Sequence, residues 1–432
     1  MAGLSNTLLT PTIIAKEALR LLKNNMVMGN LVHRGYEEEF PGMPKKGGAI
    51  TIRKPVRFNV TKSRIRVTST ITEQSITLNV ATQVHVSWKF TSVDLTLSIE
   101  EYSNRYIRPA ASALANQVDA DLCGLYADVP DAVYESTGFV TPHTFMVLGK
   151  AMQKMDEGAV PPDERCVVFN PAAHWSFANA LSNWNFKEGG EQALRKGFLG
   201  RIANAEIFMD QNIKTHIVGQ FATDGATDSD FMVWSTADSV SGAGLPTGVG
   251  ANVSQNQNIM LGGFNCSSGT LASLRAGDVF SIANCLSVNP MSGESNGIAR
   301  QFTVTTHPTG GSSTTGNEMH VYIYPEMIHT GPYKTVDTIP QLEAAVTFVG
   351  NQGGNYPQNL AFHKNAFALV MVPVEMPDGV WGSGASEDGV SVRVVKDYDI
   401  DQDWEVCRLD ILYGVKTIYP ELACRIFGAT AT

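Results

Sequence analysis

PGMPKKGGAITIRKPVRFNVTKSRIRVTST, residues 41–70, holds eight of the chain's 32 lysines and arginines and no aspartate or glutamate. The eight are Lys45, Lys46, Arg53, Lys54, Arg57, Lys62, Arg64 and Arg66. The whole chain has a formal net charge of −10, so the other 402 residues carry −18, and this stretch of one molecule is attracted to the remainder of another. Opposed fields of this kind steer association and fix its register. Ile50 and Ile52, then Val56, Phe58 and Val60, then Ile65 and Val67 alternate with polar or charged neighbours at the period of a half-buried hairpin. A lone hairpin is marginal in water. Charged on one face and apolar on the other, it needs a surface to lie on, and the acidic body of a second copy is the expected one. The alternative is a solvated strand pair resting on its own domain.

Ahead of the hairpin, residues 1–40 open with a short amphipathic helix. Thr10 can cap it, Pro11 suits the first helical position, and Ile14, Ala18, Leu21 and Leu22 share a face. With no domain of its own, this part reads as an arm. Behind the hairpin, Ile76, Leu78, Val80, Val84, Val86 and Trp88 alternate again, as a return strand. Then the period changes. From Ser98, with Glu101 completing a capping box, Ile99, Tyr102, Tyr106, Ala110, Leu114, Val118, Leu122 and Leu125 recur at steps of three and four up to Pro130. This predicts one helix of roughly 30 residues, about 45 Å long. Pro109 lacks a donor and its ring crowds the preceding turn, so a kink is expected near Arg105 to Arg108.

Residues 131–221 mix periods: helix over Thr144 to Met155, a buried strand Cys166 to Phe169 closed by Asn170 and Pro171, and a helix over Ala172 to Leu181. Composition shifts near Thr223. From Phe221 to Leu274 there is no Lys, Arg or Glu and only four Asp. Short strands with turn signals follow (Val279 to Ala283, Phe302 to Thr306, His320 to Tyr324), so 222–340 reads as an inserted all-β module of barrel or sandwich type. Asn359 to Gly428 returns to strands that rejoin the body.

Size and composition narrow the function. At 432 residues the chain can bury a large core, and 43% hydrophobic with 17% charged content leaves a surface light in charge, which suits one hidden against partners. No run of 18 apolar residues and no signal-peptide pattern is present, so no membrane is implied. The six cysteines are scattered without zinc spacing and read as reduced core thiols. The nine isolated histidines read as polar core or surface residues, and no motif calls for a cofactor or a metal. Gly293-Glu294-Ser295-Asn296-Gly297 matches the G-x-S-x-G pattern of hydrolase elbows, but that motif needs a strand before the serine and a helix after it. Here a strand-like stretch follows, so a β-loop is the expected reading. Asp397, Asp399, Asp401 and Asp403 could hold a divalent cation. A solvated acidic loop, or the landing site of another copy's basic hairpin, fits them better. The hairpin carries one aromatic, Phe58, so stacking on exposed bases is unsupported, and pI near 5.4 argues against wholesale nucleic-acid binding.

The order of parts, namely arm, basic hairpin, long helix, mixed body, β insertion and return, resembles the major capsid protein fold of tailed bacteriophages. It is most similar to the short-tailed phage coat proteins with a β domain inserted in the axial domain. Val168-Phe169-Asn170-Pro171 is similar to that family's strand-ending Asn-Pro. Gly200 to Phe208 (GRIANAEIF) resembles its glycine, x, isoleucine, alanine, glycine, phenylalanine signature, with Asn204 in place of the second glycine. Leu274 to Asp278 followed by Phe280 to Ala283 looks like the inserted domain's turn and strand, and Cys407 to Val415, with Tyr419-Pro420-Glu421 behind it, like the closing strand. The resemblance implies an α+β fold with an N-terminal arm (1–40), an extended hairpin loop (41–92), a peripheral domain with a spine helix at about 98–128 and the start of the axial domain (93–221), an inserted barrel-like β domain (222–340), and the axial domain with the return to the peripheral sheet (341–432). It implies no catalytic site. Copies would form pentamers and hexamers of an icosahedral shell, assembled in the host cytoplasm around double-stranded DNA held without sequence-specific contacts, with a scaffolding protein and a portal as further partners. Arg53, Arg57, Arg64 and Arg66 would pair with the acids of the adjacent subunit. Two rival readings are a nanocompartment shell protein of the same fold and a cytosolic hydrolase using Ser295.

Overall fold

The computed structural model describes residues 11–36, 48–58, 62–66, 73–91, 103–135, 141–182, 200–220, 232–235, 257–262, 274–306, 319–341, 343–377, 379–400 and 404–428. The architecture is mixed α+β, divided between two compact units. One gathers residues 1–52, 77–123 and 367–418, the other 53–76, 124–366 and 419–432.

In the first unit, Pro11 opens the helix Pro11–Asn25, and the predicted face of Ile14, Ala18, Leu21 and Leu22 is buried. That helix packs on strands Trp381–Glu387 and Val390–Asp399. Thr10, its expected cap, lies outside the described residues. The sheet is built on one long strand, Trp404–Thr417, which pairs antiparallel with Val390–Asp399, Thr82–Thr91 and Phe367–Met371. Gly414 is required in it: a Cβ there would stand 2.3 Å from the Asn79 carbonyl oxygen. The chain leaving the basic hairpin therefore crosses directly over this strand's backbone.

The long helix behaves as its proline dictates. Ser103–Ile107 forms a π turn, and a regular helix Arg108–Gly124 follows. Pro109 cannot donate to the carbonyl four residues back, so the turn before it widens. Ser98 and Glu101 fall outside the described residues. Asp119 is buried on this helix and accepts the Val27 and Gly29 amides at 2.7 and 2.9 Å, which ties the short turn Met28–Leu31 to it. Tyr413 donates its hydroxyl to Asp121 at 2.6 Å and so fastens the helix to the long strand.

In the second unit, a six-stranded sheet runs in the order Ala132–Tyr134, Ala423–Phe427, Asn359–His363, Arg165–Phe169, Ala205–Met209 and Arg201–Ile202. Helices Phe145–Glu157 and Pro171–Ser182 share its core, with Phe169 stacked on Phe177 at 4.6 Å. Asn170 caps the second helix, accepting the Ala173 amide at 3.0 Å, with Pro171 in the first helical position. The tight turn after Ile202 holds Ala203 at φ 50° and Asn204 at φ 62°. Both central residues are left-handed, the geometry of a hairpin turn that favours Asn or Gly. Asparagine is therefore a natural substitute for the glycine expected at 204.

A second six-stranded sheet, antiparallel throughout, runs in the order Val346–Phe348, Val279–Val288, Ser295–Thr306, Met319–Tyr324, Gln257–Gly262 and Met232–Ser235. It curls until the outer strand Met232–Ser235 meets the segment leading into the other outer strand: Val233 donates to the Ala344 carbonyl at 3.0 Å and accepts from the Glu343 amide at 2.9 Å. Phe280, Phe302 and Phe348 fill its interior beside Val304, Val321 and Ile323.

A buried polar network joins that curled sheet to the body sheet. Arg425, 1% exposed, donates to the Gly277 carbonyl at 2.6 Å and to the Thr303 hydroxyl at 3.1 Å. Burial lowers its guanidinium to about 10, with Tyr126 and Asp278 opposing the shift. Asp278, also 1% exposed, accepts the Arg275 amide at 2.6 Å, the Gly219 amide at 3.2 Å and His216 Nε2 at 2.8 Å, while His216 Nδ1 meets the Tyr126 hydroxyl at 3.1 Å. Gly277, at φ 97°, lies against His216 and Tyr126, 3.3 Å from each if it bore a Cβ.

The basic hairpin is shorter as regular structure than the alternation predicts. Ala49–Arg53 pairs with Ser75–Asn79, and the ribbon is closed by Val80 N–H to Gly48 O at 2.6 Å and Lys54 N–H to Gln74 O at 2.8 Å. Ile50, Ile52, Ile76 and Leu78 are buried within the single chain. The expectation that the hairpin's apolar row must rest on another copy is thereby corrected for the stem, because the stem's apolar side chains already have cover. Residues 54–58 and 62–66 have no regular strand.

Cys123, Cys166, Cys285, Cys407 and Cys424 are free and buried, and burial pushes the Cys166, Cys285 and Cys424 thiols up to about 11, 12 and 12. Cys266 lies outside the described residues.

Two substitutions test this description. Asp278→Ala strips the partner from buried donors and is expected to cost about 3 kcal/mol in denaturant unfolding. Ala203→Gly relieves a left-handed alanine and is expected to stabilise by about 0.5–1 kcal/mol in the same measurement.

Candidate functional site

The basic stretch divides by environment. Arg53, 78% exposed, pairs with Glu73 at 3.4 Å across the ribbon, a geometry worth little in water. The Lys54 ammonium lies over the Tyr419 ring, 5.2 Å from its centroid. Burial pulls its pKa down, while Glu421 works in the other direction. Arg57 donates its backbone N–H to the Tyr333 hydroxyl at 3.4 Å, and its guanidinium is 3.9 Å from the Glu421 carboxylate. Further out the chain is open. Lys62, Arg64 and Arg66 are exposed with no ion-pair partner among the described residues, and Phe58 and Ile65 are 68% and 78% exposed. Lys45 and Lys46 lie outside the described residues.

Lys54, Pro55 and Arg57 line a cleft with Tyr324, Glu326, Tyr333, Tyr419 and Glu421. Local chain chemistry builds its far wall. Thr335 hydrogen-bonds through its hydroxyl to the Glu326 carbonyl and accepts the Ile328 amide at 2.9 Å, which pins the segment leaving strand 319–324. Glu421 sits in the turn Pro420–Leu422 and also accepts the Tyr324 hydroxyl at 3.3 Å. Burial, followed by the nearby Glu421 carboxylate, raises the Tyr324 phenol well above its usual range. Burial alone pushes the Glu326 carboxyl up to about 7. Aromatic faces and carboxylates around two cations make a surface that holds a chain segment, with no nucleophile paired to a base.

Of the predicted acidic partner, Asp397 and Asp399 lie on the strand Val390–Asp399. Asp397 is exposed and accepts the Tyr398 amide at 2.9 Å; Asp399 accepts Trp404 Nε1 at 3.3 Å. Lys396 forms an ion pair with Glu405, and Lys89 covers the Trp404 ring at 3.5 Å. Tyr398 and Ile400 are 50% and 83% exposed beside these acids. Asp401 and Asp403 lie outside the described residues.

Ser295 opens the strand Ser295–Thr306, after a five-residue turn in which the Gly293 amide donates to the Asn289 carbonyl at 2.8 Å. Its Oγ accepts the Gly297 amide at 3.3 Å, and no helix follows, so the elbow geometry is missing. No metal-holding group of His, Cys, Asp or Glu occurs among the described residues. The reading of the sequence missed Tyr324, Glu326, Tyr333 and Glu421. They are brought to the loop's root from 267 or more positions away, and only their aromatic and acidic types gave any hint.

A family model described as "P22 coat protein - gene protein 5" matches residues 1–428. No curated protein matches the chain. Among solved structures, the chain is similar to one titled "Mycobacterium phage Che8", with 15% identity, 93% of this chain and 90% of that one covered, and a TM-score of 0.47. A second is titled "Capsid structure of the Cyanophage P-SCSP1u", with 11% identity, 89% and 84% covered, and a TM-score of 0.43. A third is titled "Asymmetric unit of bacteriophage PhiM1 mature capsid", with 8% identity, 89% and 83% covered, and a TM-score of 0.42.

The Glu326 carboxyl gives a pH dependence with a definite sign. Its folded pKa lies above 4.5, so the native state holds a proton that the unfolded chain releases, and stability falls as pH rises from about 4.5 through 7. Glu326→Gln should flatten that part of a melting-temperature profile and leave the subunit more stable than the parent at pH 8.

Proposed function

Since this chain belongs to the P22 coat protein family, and is thus a phage major capsid protein whose copies form the icosahedral shell of the virion, we propose that its basic loop docks on the acidic face of an adjacent copy. The protein is structural and not an enzyme. The observation that carries the docking is the contrast in charge and exposure. Lys62, Arg64 and Arg66 stand in solvent around exposed Ile65, while Asp397 and Asp399 lie beside exposed Tyr398 and Ile400. Each side offers apolar area with a charged rim, the composition of a protein interface. Asp401 and Asp403 extend the acidic side in sequence, and Lys45 and Lys46 the basic one.

Such a contact is heterologous, so one pair of patches repeats around a ring and serves pentamers and hexamers alike. Residues 1–40 act as an arm toward a further copy, 41–92 as the extended loop, and the kinked helix at about 98–128 as the spine of a peripheral domain. Residues 222–340 act as the inserted β domain, whose sheet also takes in Val346–Phe348 and whose curl supports a barrel-like closure, and the rest of 341–432 as axial domain and return to the peripheral sheet. The net charge of −10 suits a container for double-stranded DNA that makes no sequence-specific contact with it. A scaffolding protein and a portal are the further partners that the family resemblance brings.

Arg64→Glu with Arg66→Glu, and separately Asp397→Lys with Asp399→Lys, are each expected to cut the sedimenting shell fraction at least tenfold, since like charges facing one another cost several kcal/mol. Combining the four substitutions in one chain should recover shells visible by electron microscopy. Parental yields from both double variants would overturn the docking.

A further inference from the structure

The six described cations of residues 41–70 do not stand in equivalent surroundings, and the difference assigns them different work. Resting on the docking of the basic loop just described, we infer that Lys54 and Arg57 form a clamp within their own chain. On this view Lys62, Arg64 and Arg66, with Phe58 and Ile65, are the part that meets the second copy.

The geometry of the root supports a clamp. Arg57 and Glu421 are 38% and 32% exposed in their side chains, far less than the 78% and 60% of the neighbouring Arg53–Glu73 pair. Glu421 accepts from the Tyr324 hydroxyl as well, so the carboxylate is held from two directions. The Arg57 backbone is separately tied to Tyr333, and the Lys54 ammonium rests on Tyr419, whose ring leads into the same Pro420–Leu422 turn. Three side chains from the body thus hold Lys54 and Arg57, three positions apart in the loop, by a hydrogen bond, an ion pair and a cation–π contact. Groups already desolvated and engaged in this way gain little from a new partner. The tip is the opposite case, with hydrated cations and uncovered apolar side chains that gain contact only when something else arrives. Only four positions separate Arg57 from Lys62 in sequence, so fixing the root narrows the directions the tip can sample. The ordering cost of docking is then met before the copies collide.

Four forms of the full chain separate the possibilities: Arg57→Glu, Glu421→Arg, the two combined, and Arg64→Glu with Arg66→Glu. For unassembled subunits, each single exchange at the root is expected to lower Tm by about 1–2 °C. The combination should return Tm to the parental value, and the tip variant should leave it unchanged. For assembly, the tip variant should lose shells, the single root exchanges should form them several-fold more slowly, and the combined root variant should recover the rate. Arg57→Gln, which removes the charge without reversing it, covers the case in which Arg57→Glu fails to fold, and should show the same loss of Tm at smaller size.

The inference is overturned if the root exchanges leave Tm unmoved. It is equally overturned if a mixture of Arg57→Glu subunits with Glu421→Arg subunits assembles where neither does alone, because Arg57 then pairs between copies and the docking reading stands without the clamp. If tip and root variants all assemble at the parental rate, the docking reading itself fails.

Discussion

Arg425 carries a positive charge into the interior of the larger unit, and much around it is arranged to keep that charge solvated by protein. Among the described residues no carboxylate bonds its guanidinium directly; it leans on a carbonyl at Gly277 and a hydroxyl at Thr303, with Asp278 close enough to favour the charged form. Asp278 in turn is satisfied by two backbone amides and an imidazole. A buried network of this kind is costly when half made and rigid when complete. It therefore leaves the curled sheet one way to sit on the body sheet, with Gly277 pressed against His216 and Tyr126. Apolar packing among Phe280, Phe302 and Phe348 supplies the cohesion, and the polar joint supplies the register.

The same logic runs outward to the basic loop. The apolar side chains of its stem are buried within the chain, its root meets aromatic rings and a carboxylate, and its tip is open. A shell subunit has to be soluble alone and adhesive in company. Graded exposure along one segment, from buried Ile52 to the 78% exposed Ile65, reconciles those demands, because little apolar area is uncovered before a partner is present.

What could be read from the sequence was what local periodicity and turn chemistry encode. Pro109 announced the irregular turn before it, Asn170 and Pro171 the helix they start, and the alternation of Ile50, Ile52, Ile76 and Leu78 a two-stranded ribbon. Asn204, standing where the resembled signature has glycine, fits its positive φ. What escaped was long-range. Nothing near Arg57 foretells Glu421, and nothing near Asp278 foretells Arg425, because such partners are chosen by the path of the whole chain. The length of the hairpin was overread for the same reason: alternation at Val56 and Phe58 continues the period of a strand, but the backbone there is tied to Tyr333 instead of a ladder partner.

Every described cysteine is buried, and three of the five have thiols raised to about 11 or 12, so almost no thiolate is presented at neutral pH. To alkylating and maleimide reagents the described surface is blank. A single cysteine introduced at exposed Ser63 would then be the one thiol among the described residues open to conjugation, giving chemists a dye or cargo handle on the basic loop.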